Sequence, residues 1–434
     1  MTMLIRSWLR ERSKLLRHRL VRNTAALFSV QISSYFAPLL VLPYLSRVLS
    51  TEHFGLIAFA TSFNWYFLTL VEYGFNLTAT RRIAIHSDDR AKVSQIFSSV
   101  MAAKTFLTVI GFVLMVSIVL VTPKLRPNLF LFCISYLAVI GDLLFPLWLF
   151  QGLQKIENLV WRDLCAKFLS LILIFAFVHH DGDYLWAAGF QAGSMAIAGV
   201  VGLITVPFLT PVRLAMPSAR EAITALREGW PVFLSMAAMY LTASTNIFVL
   251  GLRSGPTDVA FYTAPGRLVV ALRALVSPLV TALYPHISHM AFVSRENAIA
   301  FLRKYSPMLL APFFAGSLIL FAGAAPIMRI LYGTKYMLAM PLLRIMAFSP
   351  ALSAFQHIYC TFFMLAFGYE KEWSRVVLWG SVLNFVVLIP LMYIIWPPAA
   401  VSIAVTIVDL FVAALPYTFY RKHASVAVSP AVPA

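Results

Sequence analysis

Long apolar stretches, separated by short polar segments, make up most of this chain. We count twelve such stretches, each of about 20 residues and therefore long enough to cross the hydrocarbon core of a bilayer as a helix. They cover approximately residues 24–45, 55–76, 97–122, 129–150, 164–179, 184–208, 230–252, 262–289, 306–331, 341–367, 376–396 and 399–420. This pattern predicts an all-α polytopic membrane protein with about twelve transmembrane helices.

The composition supports this prediction and changes how the charge is interpreted. Of the 434 residues, 61% are hydrophobic and only 12% are charged, a balance that a soluble domain could not keep hydrated. The formal net charge of +17 would indicate a nucleic-acid partner in a soluble protein. In a membrane protein it must first be compared with topology, because cytoplasmic loops collect Lys and Arg.

The distribution of basic residues among the loops predicts the orientation. With a cytoplasmic N-terminus, the cytoplasmic segments hold 23 of the 34 Lys and Arg residues. The external loops hold five: Arg47, Lys124, Arg126, Arg253 and Lys335. This asymmetry predicts that both termini are cytoplasmic and that the number of spans is even. Since topology accounts for most of the charge, no nucleic-acid partner is expected.

The chain also divides into two halves. Residues 48–55 after the first span and residues 254–261 after the seventh are both short turns with a Thr followed by an acid. With twelve spans, this weak repeat suggests two parallel halves related by an axis along the membrane normal. The predicted units are a basic amphipathic segment that lies on membrane lipid (1–22), an N-lobe (23–208), a cytoplasmic linker (209–228), a C-lobe (229–420) and a cytoplasmic tail (421–434).

Residues 227–285 are the stretch that points most directly to function. Their second apolar helix carries Arg267 and Arg273 among Leu, Val and Ala. An arginine near the bilayer centre costs about 2.5–3.5 kcal/mol on insertion scales and is tolerated mainly where it faces a bundle interior or a wet cavity. Three residues are expected to interrupt the regularity of this helix: Pro265, Gly266 and Pro278.

Other ionisable residues also fall within the predicted spans. Asp142, Arg273 and Asp409 lie well inside their spans, and Lys104 and Arg267 are intermediate. Three more lie near span ends, where long side chains reach the interface: Glu72, Lys167 and Arg344. Two interpretations stay open for the deeper residues. They form structural ion pairs between helices, or they line a net cationic aqueous cavity suited to an anionic head group.

The sequence offers no catalytic constellation. It contains no Ser–His–Asp arrangement, Gly-rich phosphate loop or metalloprotease helix, and its external loops are all short. The segment His179–Asp183 resembles a metal site in composition, but it is a short turn without further ligands nearby, so a solvated loop is favoured. We therefore expect no enzyme activity, cofactor or metal. A membrane polysaccharide polymerase or ligase is the disfavoured alternative from another class.

Several segments carry a resemblance to a known family. They are residues 43–49 with Phe54-Gly55, residues 72–81, residues 146–152, residues 228–235 and Leu283-Tyr284-Pro285. On these segments the chain resembles the Wzx-type polysaccharide (O-antigen) flippases. Their superfamily also holds the multidrug-and-toxin (MATE) exporters and the lipid II flippase. The resemblance covers nearly the whole chain and implies two pseudo-symmetric six-helix lobes around a central cavity. Arg267 falls in a segment similar to one where flippases often place a basic residue.

The resemblance implies a specific task. The expected function is to move undecaprenyl-pyrophosphate-linked oligosaccharide, an O-antigen or exopolysaccharide repeat unit, from the cytoplasmic to the periplasmic leaflet of the bacterial inner membrane by alternating access. A polysaccharide polymerase and a chain-length regulator are implied as partners. Candidate substrate-binding residues are Arg267, Arg273, Lys104 and Arg344. Candidate residues for coupling to H⁺ or Na⁺ are Asp142, Asp409 and Glu72. The alternative on the same fold is a multidrug or metabolite exporter, although a cation exporter should favour an acidic lumen.

Overall fold

A computed structural model describes residues 40–155, 157–210, 212 and 218–426 of the chain. Within these ranges, the side chains of residues 157, 158, 160, 235, 238–243 and 424–426 are not described. The predicted amphipathic segment over residues 1–22, most of the first predicted span and the end of the predicted tail lie outside the described residues.

The described residues fold into α-helices joined by short turns, and no strand occurs among them. In chain order the helices are α1 (40–48), α2 (Thr51–Glu72), α3 (Phe75–Ile85), α4 (Arg90–Val121), α5 (Leu129–Ser135), α6 (Leu137–Leu144), α7 (Leu147–Gly152), α8 (Glu157–Phe177), α9 (Tyr184–Leu209), α10 (Ala219–Ser254), α11 (Pro256–Ala274), α12 (Val276–Val293), α13 (Arg295–Ala322), α14 (Ala324–Tyr332), α15 (Met340–Met346), α16 (Ser349–Gln356), α17 (Glu370–Ile394) and α18 (Pro397–Val426). A π-helix over His357–Leu365 continues α16.

Nine helical stretches within the described residues are long and apolar enough to cross a membrane. They coincide with nine of the twelve predicted spans, namely the second to fourth, the sixth and the eighth to twelfth. Helices α8 and α10 occupy the positions of the fifth and seventh predicted spans. The all-α, multi-pass architecture is therefore confirmed, whereas the total of twelve spans and the division into two lobes stay predictions.

Helix α11 differs from the sequence prediction, because it runs through Pro265 and Gly266 without a break. A proline inside a helix removes one backbone hydrogen bond, but Pro265 is buried in the packed part of α11, and packing provides most of a helix's stability. The interruption occurs instead at Leu275, between α11 and α12. Pro278 lies in the first turn of α12, where a proline is tolerated.

A close crossing joins the start of α2 to the start of α11. A Cβ atom added to Gly55 would overlap the carbonyl oxygen of Pro256, so only glycine allows this approach. Gly55 belongs to the Phe54-Gly55 pair that contributed to the family resemblance. The backbone contact between the two helices explains why a residue without a side chain stands there. It also fixes α11, and with it Arg267, against the N-lobe.

Two other segments of the resemblance pack against each other at the predicted cytoplasmic side. Tyr73 and Gly74 have positive φ angles of 46° and 77° and form the bend between α2 and α3. The ring of Tyr73 stacks on that of Phe233 in α10, with centroids 4.8 Å apart. Arg82 and Glu228 form an ion pair of 3.5 Å beside this stack. The contact explains why both segments have characteristic sequences.

Helix α10 contacts both lobes, although the sequence assigns it to the C-lobe. Near its start, Ser99 of α4 donates a hydrogen bond of 2.9 Å to Glu221. Further along, the buried amides of Asn246 and Asn384 of α17 bond to each other, with distances of 2.7 and 3.3 Å. Helix α10 thus connects the N-lobe helices to α17 and spans the boundary beside which the candidate site lies.

Candidate functional site

A cavity of about 320 Å³ lies between the N-lobe helices and α11. Its walls come from α1, α2, α5, α6, α8 and α9, and Arg267 is its lining residue from α11. The volume is at the lower end of the range of about 300–1,000 Å³ typical of small-molecule sites. No Asp or Glu lines it among the described residues. Its polar lining consists of two cationic residues, Arg267 and Lys167, with Thr61, Asn64, Ser135, Ser170, Gln191 and Ser194.

One face of α2 forms the longest wall of this cavity. Ile57, Thr61, Asn64, Trp65 and Leu68 all line it. Their spacing of three or four residues places them on the same side of a helix. The opposite side of α2 packs in the protein core, where Phe59 and Phe63 are buried. The mixed composition of the cavity face therefore indicates a surface kept for something other than helix packing.

Arg267 has an unusual environment for a basic residue at membrane depth. Its side chain is exposed within the cavity, and among the described residues it has no ion-pair or hydrogen-bond partner. A guanidinium carries five donors in a planar fork that matches carboxylate and phosphate oxygens. A cation without a protein counter-ion, in a cavity without acids, is chemically suited to bind an anion.

Lys167 lines the same cavity, on the wall formed by α8. Its ammonium group lies 2.5 Å from the carboxylate of Asp163, one helical turn earlier. The sequence analysis placed Lys167 near a span end and considered it interfacial, so its position on the cavity wall was missed. The fifth predicted span begins only three residues before Lys167, and this short distance concealed the contribution.

Lys104 and Asp142 form an ion pair between α4 and α6. The ammonium group lies 2.9 Å from the Asp142 carboxylate and also donates to the Asp142 backbone carbonyl at 2.7 Å. The two side chains are only 3% and 15% exposed. Both interactions of the ammonium group with Asp142 join the same two helices, so the pair connects α4 to α6 inside the N-lobe.

Arg273 and Asp409 form a second ion pair, between α11 and α18. The guanidinium lies 3.1 Å from the carboxylate. Asp409 also accepts a 2.6 Å hydrogen bond from the hydroxyl of Ser349, and its backbone carbonyl accepts one of 2.8 Å from Gln356. Asp409 is 8% exposed and Arg273 is 31% exposed. This network joins three C-lobe helices, and its residues are not among those that line the cavity.

Glu72 and Arg344 are not part of either pair. Glu72, at the end of α2, accepts a 2.9 Å hydrogen bond from Asn76 and lies within electrostatic range of both Lys104 and Asp142. Arg344 is exposed in the last turn of α15 and has no ion-pair partner among the described residues. The structure thus brings Glu72 close to the N-lobe pair, and it separates Arg344 from the other candidates.

Two cavity residues carry signals that sequence reasoning missed. Asn64 is 3% exposed, yet its side-chain oxygen has no hydrogen-bond partner within the described structure. An unsatisfied buried acceptor costs about 1–3 kcal/mol. The adjacent Trp65 is 46% exposed. Within an apolar span, a single Asn and a single Trp look like packing residues, so only the three-dimensional arrangement reveals them.

A larger recess of about 550 Å³ lies between α8 and α9. Its lining includes Trp161, Arg162 and Cys165, with mostly apolar neighbours. It contains one charged residue and lacks the convergent polar groups of the cavity described above. For that reason, the smaller cavity is the better candidate for a binding site.

The His179–Asp183 turn has a structural role in the fold. Asp183 accepts hydrogen bonds from the backbone N–H groups of His179 and His180, at 3.0 and 2.9 Å. Asp181 bonds to the backbone N–H of Ser50 and contacts the ring of His53. These contacts tie the turn to the start of α2. Among the described residues, no group of three His, Cys, Asp or Glu side chains is placed to hold a metal.

Comparison with known proteins identifies the family. The model of the family described as "Polysaccharide biosynthesis protein" matches residues 20–291, more than half of the chain. The chain belongs to this family. Two relatives provisionally named O-antigen transporters cover most of the chain. The protein of Escherichia coli (strain K12) is 33% identical over 373 residues, which is 85% of this chain and 89% of the relative. That of Shigella dysenteriae is 29% identical, over 86% and 93% of the two chains.

The fold has a counterpart among solved structures. The inward-facing structure of a multidrug resistance MATE family transporter of the MOP superfamily matches with a TM-score of 0.70, over 94% of this chain and 99% of that chain. At 14% sequence identity, this likeness shows the fold alone. The predicted MATE-like architecture is confirmed, and the relatives are named as transporters rather than enzymes, as the sequence indicated.

Proposed function

We propose that the protein is a flippase for lipid-linked oligosaccharide. It would carry undecaprenyl-pyrophosphate-linked repeat units from the cytoplasmic to the periplasmic leaflet of the bacterial inner membrane, with both termini cytoplasmic. The observation that carries this proposal is Arg267, which enters a cavity of the N-lobe from a C-lobe helix and lacks a protein counter-ion among the described residues. Membership of a polysaccharide biosynthesis family supports the choice of substrate class.

The pyrophosphate is the substrate group that fits this cavity best. Arginine binds phosphate oxygens through two parallel charge-assisted hydrogen bonds, and Lys167 adds a second positive charge to the same wall. A membrane potential that is negative inside favours the outward movement of anionic charge, by about 2.3 kcal/mol per charge per 100 mV. We assign the substrate contact to Arg267, while Lys104 and Arg273 act through their ion pairs.

Contacts between the lobes support an alternating-access cycle. At the predicted external ends of the helices, Arg47 donates to the carbonyl of Ile330, and Lys335 donates to that of Arg47 at 3.3 Å. Lys124 donates to the carbonyl of Leu252 at 2.9 Å. These three basic residues are among the five that the positive-inside pattern leaves outside. We propose that they hold the external side closed while the cavity opens to the cytoplasm.

The N-lobe contains the better candidate for ion coupling. Glu72 and Asp142 share the single positive charge of Lys104, so this cluster has two acids and one base. A proton or Na⁺ would neutralise the remaining negative charge. The C-lobe pair, by contrast, has one Arg273 for one Asp409 and is already neutral. We therefore propose that coupling, if it drives transport, acts at Glu72 and Asp142.

Export of an organic cation is the less favoured function on this fold. A cation exporter requires acidic side chains in its lumen to compensate the charge of its substrate. The cavity contains Arg267 and Lys167 and has no acid among its described lining residues. This arrangement repels cations and attracts anions.

Reconstituted transport tests the proposal. Purified protein would be placed in liposomes that carry a fluorescent undecaprenyl-pyrophosphate glycolipid, and loss of the label to an external quencher or hydrolase would be followed in time. We expect protein-dependent movement that Arg267→Gln slows by at least about tenfold, the loss of about one charge-assisted hydrogen bond. Transport that is equally fast in Arg267→Gln would contradict the assigned contact.

A further inference from the structure

The cavity wall that faces Arg267 carries groups that a pyrophosphate does not need. Asn64 and Trp65 on α2, together with Gln191 on α9, contribute an amide acceptor, a flat aromatic surface and a second amide. An anion is bound by donors and positive charge, and an amide oxygen offers neither. The presence of these groups beside the cationic residues calls for a different part of the ligand.

The orientation of Asn64 makes it a defined acceptor. Its Nδ2 group donates to the backbone carbonyl of Phe132 at 3.3 Å, and only an N–H group can make this contact. The amide oxygen is therefore directed elsewhere, and it has no partner within the described structure. A buried acceptor of this kind is normally satisfied, so a ligand hydroxyl or amide N–H is the expected donor.

Trp65 presents an unpacked aromatic surface next to this acceptor. The ring is 46% exposed and forms no pair with another aromatic ring among the described residues. Its chain neighbour Tyr66 behaves differently, because it packs against Phe248 and donates to Thr245 at 2.7 Å. A flat apolar ring with a polar N–H at its edge suits a molecule that has both apolar and hydroxylated faces, as a sugar does.

Gln191 completes the wall from the other side of the cavity. Its side-chain amide is half-buried and makes no hydrogen bond within the described structure. It offers both a donor and an acceptor. With Asn64, it provides polar groups on two sides of the space in front of Trp65.

We infer that Asn64, Trp65 and Gln191 form a subsite for the first sugar of the repeat unit, the one attached directly to the pyrophosphate. This inference rests on the proposed function, because Arg267 must hold the pyrophosphate for the next group to reach this wall. The sugar ring lies over Trp65, and one of its hydroxyl or acetamido N–H groups donates to the oxygen of Asn64. The cavity thereby selects its substrate by the first sugar, and the rest of the oligosaccharide lies outside it.

Binding measurements on the purified full chain in lipid nanodiscs test the subsite. The probes are undecaprenyl pyrophosphate without sugar and the same lipid carrying glucose, galactose, N-acetylglucosamine or N-acetylgalactosamine. We expect at least one sugar-bearing lipid to bind about tenfold more tightly than the sugar-free lipid, which corresponds to about 1.4 kcal/mol. In Asn64→Ala and in Trp65→Ala this gain should disappear while the affinity for the sugar-free lipid is kept.

Two controls separate recognition from folding. Trp65→Phe keeps a flat ring and should retain most of the gain. Trp379→Ala removes a tryptophan of α17 that is 61% exposed and lies outside the cavity lining, and it should leave every affinity unchanged. Thermal unfolding of each variant confirms that the compared proteins are folded.

The outcomes distinguish the subsite from the proposed function. If the wild-type protein binds all the lipids equally, or if the gain persists in both alanine variants, the sugar subsite is wrong and the pyrophosphate site stands. If undecaprenyl pyrophosphate binds no better than undecaprenol and Arg267→Gln changes nothing, the proposed function is wrong as well. Loss of affinity for every pyrophosphate lipid in Arg267→Gln, with loss of the sugar gain alone in Asn64→Ala, supports both.

Discussion

Arg267 and Arg273 lie six residues apart on the same helix, but their surroundings differ completely. Six residues correspond to a rotation of about 240°, so the two side chains leave α11 on different faces. Arg273 meets Asp409 and Ser349 within the C-lobe. Arg267 enters the N-lobe cavity and finds no counter-ion among the described residues. One helix therefore supplies a charge that joins its own lobe and another that is left open for a ligand.

The difference teaches how to separate structural charges from functional ones in a membrane protein. A paired charge cannot be removed without leaving its partner unsatisfied in a medium of low dielectric. An unpaired charge can be removed without that penalty, so its loss should affect ligand binding rather than stability. Stability and transport measured on the same variants therefore distinguish the two kinds.

The largest effect on stability is expected for the N-lobe pair, which is the most buried paired case. Lys104→Ala should lower the free energy of unfolding by about 3–5 kcal/mol, because it strands the Asp142 carboxylate. Removing both charges in Lys104→Met with Asp142→Asn should restore most of the loss. Membrane level and thermal unfolding measure both. A single variant as stable as the wild type would mean that the pair does not hold α4 to α6.

A smaller effect is expected for Arg273. Arg273→Ala should cost about 1–3 kcal/mol, because Arg273 is partly exposed and Ser349 continues to donate to Asp409. The double variant with Asp409→Asn should recover stability and retain transport. Denaturation in detergent, combined with a transport assay, checks this result. If the stable double variant were inactive, Arg273 would belong with Arg267 on the functional side of the comparison.

Glu72→Gln should change the energetics of transport rather than the stability. A gradient of one pH unit stores about 1.4 kcal/mol per proton, so its collapse should slow a proton-coupled wild-type protein by up to about tenfold. Glu72→Gln should lose this dependence, because the cluster with Lys104 and Asp142 is then neutral. Transport rates in liposomes with and without a gradient test this. A variant that keeps the wild-type response excludes Glu72 as the coupling site.

The smallest effect is expected at the external contact between the lobes. Lys124→Ala removes an exposed hydrogen bond to the Leu252 carbonyl, worth about 0.5–1.5 kcal/mol, and should raise the outward-open population by about two- to tenfold. Spin-label distances across the external ends report the population. Arg126→Ala, in the same turn and with no side-chain bond among the described residues, is the matched control and should change nothing.

The sequence predicted the architecture and one half of this comparison. Apolar stretches of sufficient length predicted the helices, because hydrophobic length is a local property of the chain. Arg267 was identified since a charge in an apolar helix is costly wherever it lies. The pairing of Lys104 with Asp142 and of Arg273 with Asp409 could not be assigned, because partners 38 and 136 positions apart meet only through packing.

The cavity wall shows where sequence reasoning reaches its limit. Trp65 and Asn64 stand in an apolar span in which aromatic and small polar residues commonly pack or face lipid. Only the position of the cavity distinguishes them from Tyr66 and Phe67 beside them. Pro265 shows the reverse error, because a residue with a strong local preference was overruled by the packing of α11.

The most direct test of the central claim compares Arg267 with Arg273 in cells. Surface polysaccharide would be measured in a strain that lacks its own flippase and expresses wild type, Arg267→Ala, or Arg273→Ala with Asp409→Asn, at equal membrane levels. We predict that Arg267→Ala loses at least about 90% of the surface glycan and accumulates lipid-linked repeat units inside, consistent with losing one charge-assisted hydrogen bond, whereas the double variant keeps its surface glycan. Full surface glycan with Arg267→Ala would contradict the role of Arg267 as the substrate contact.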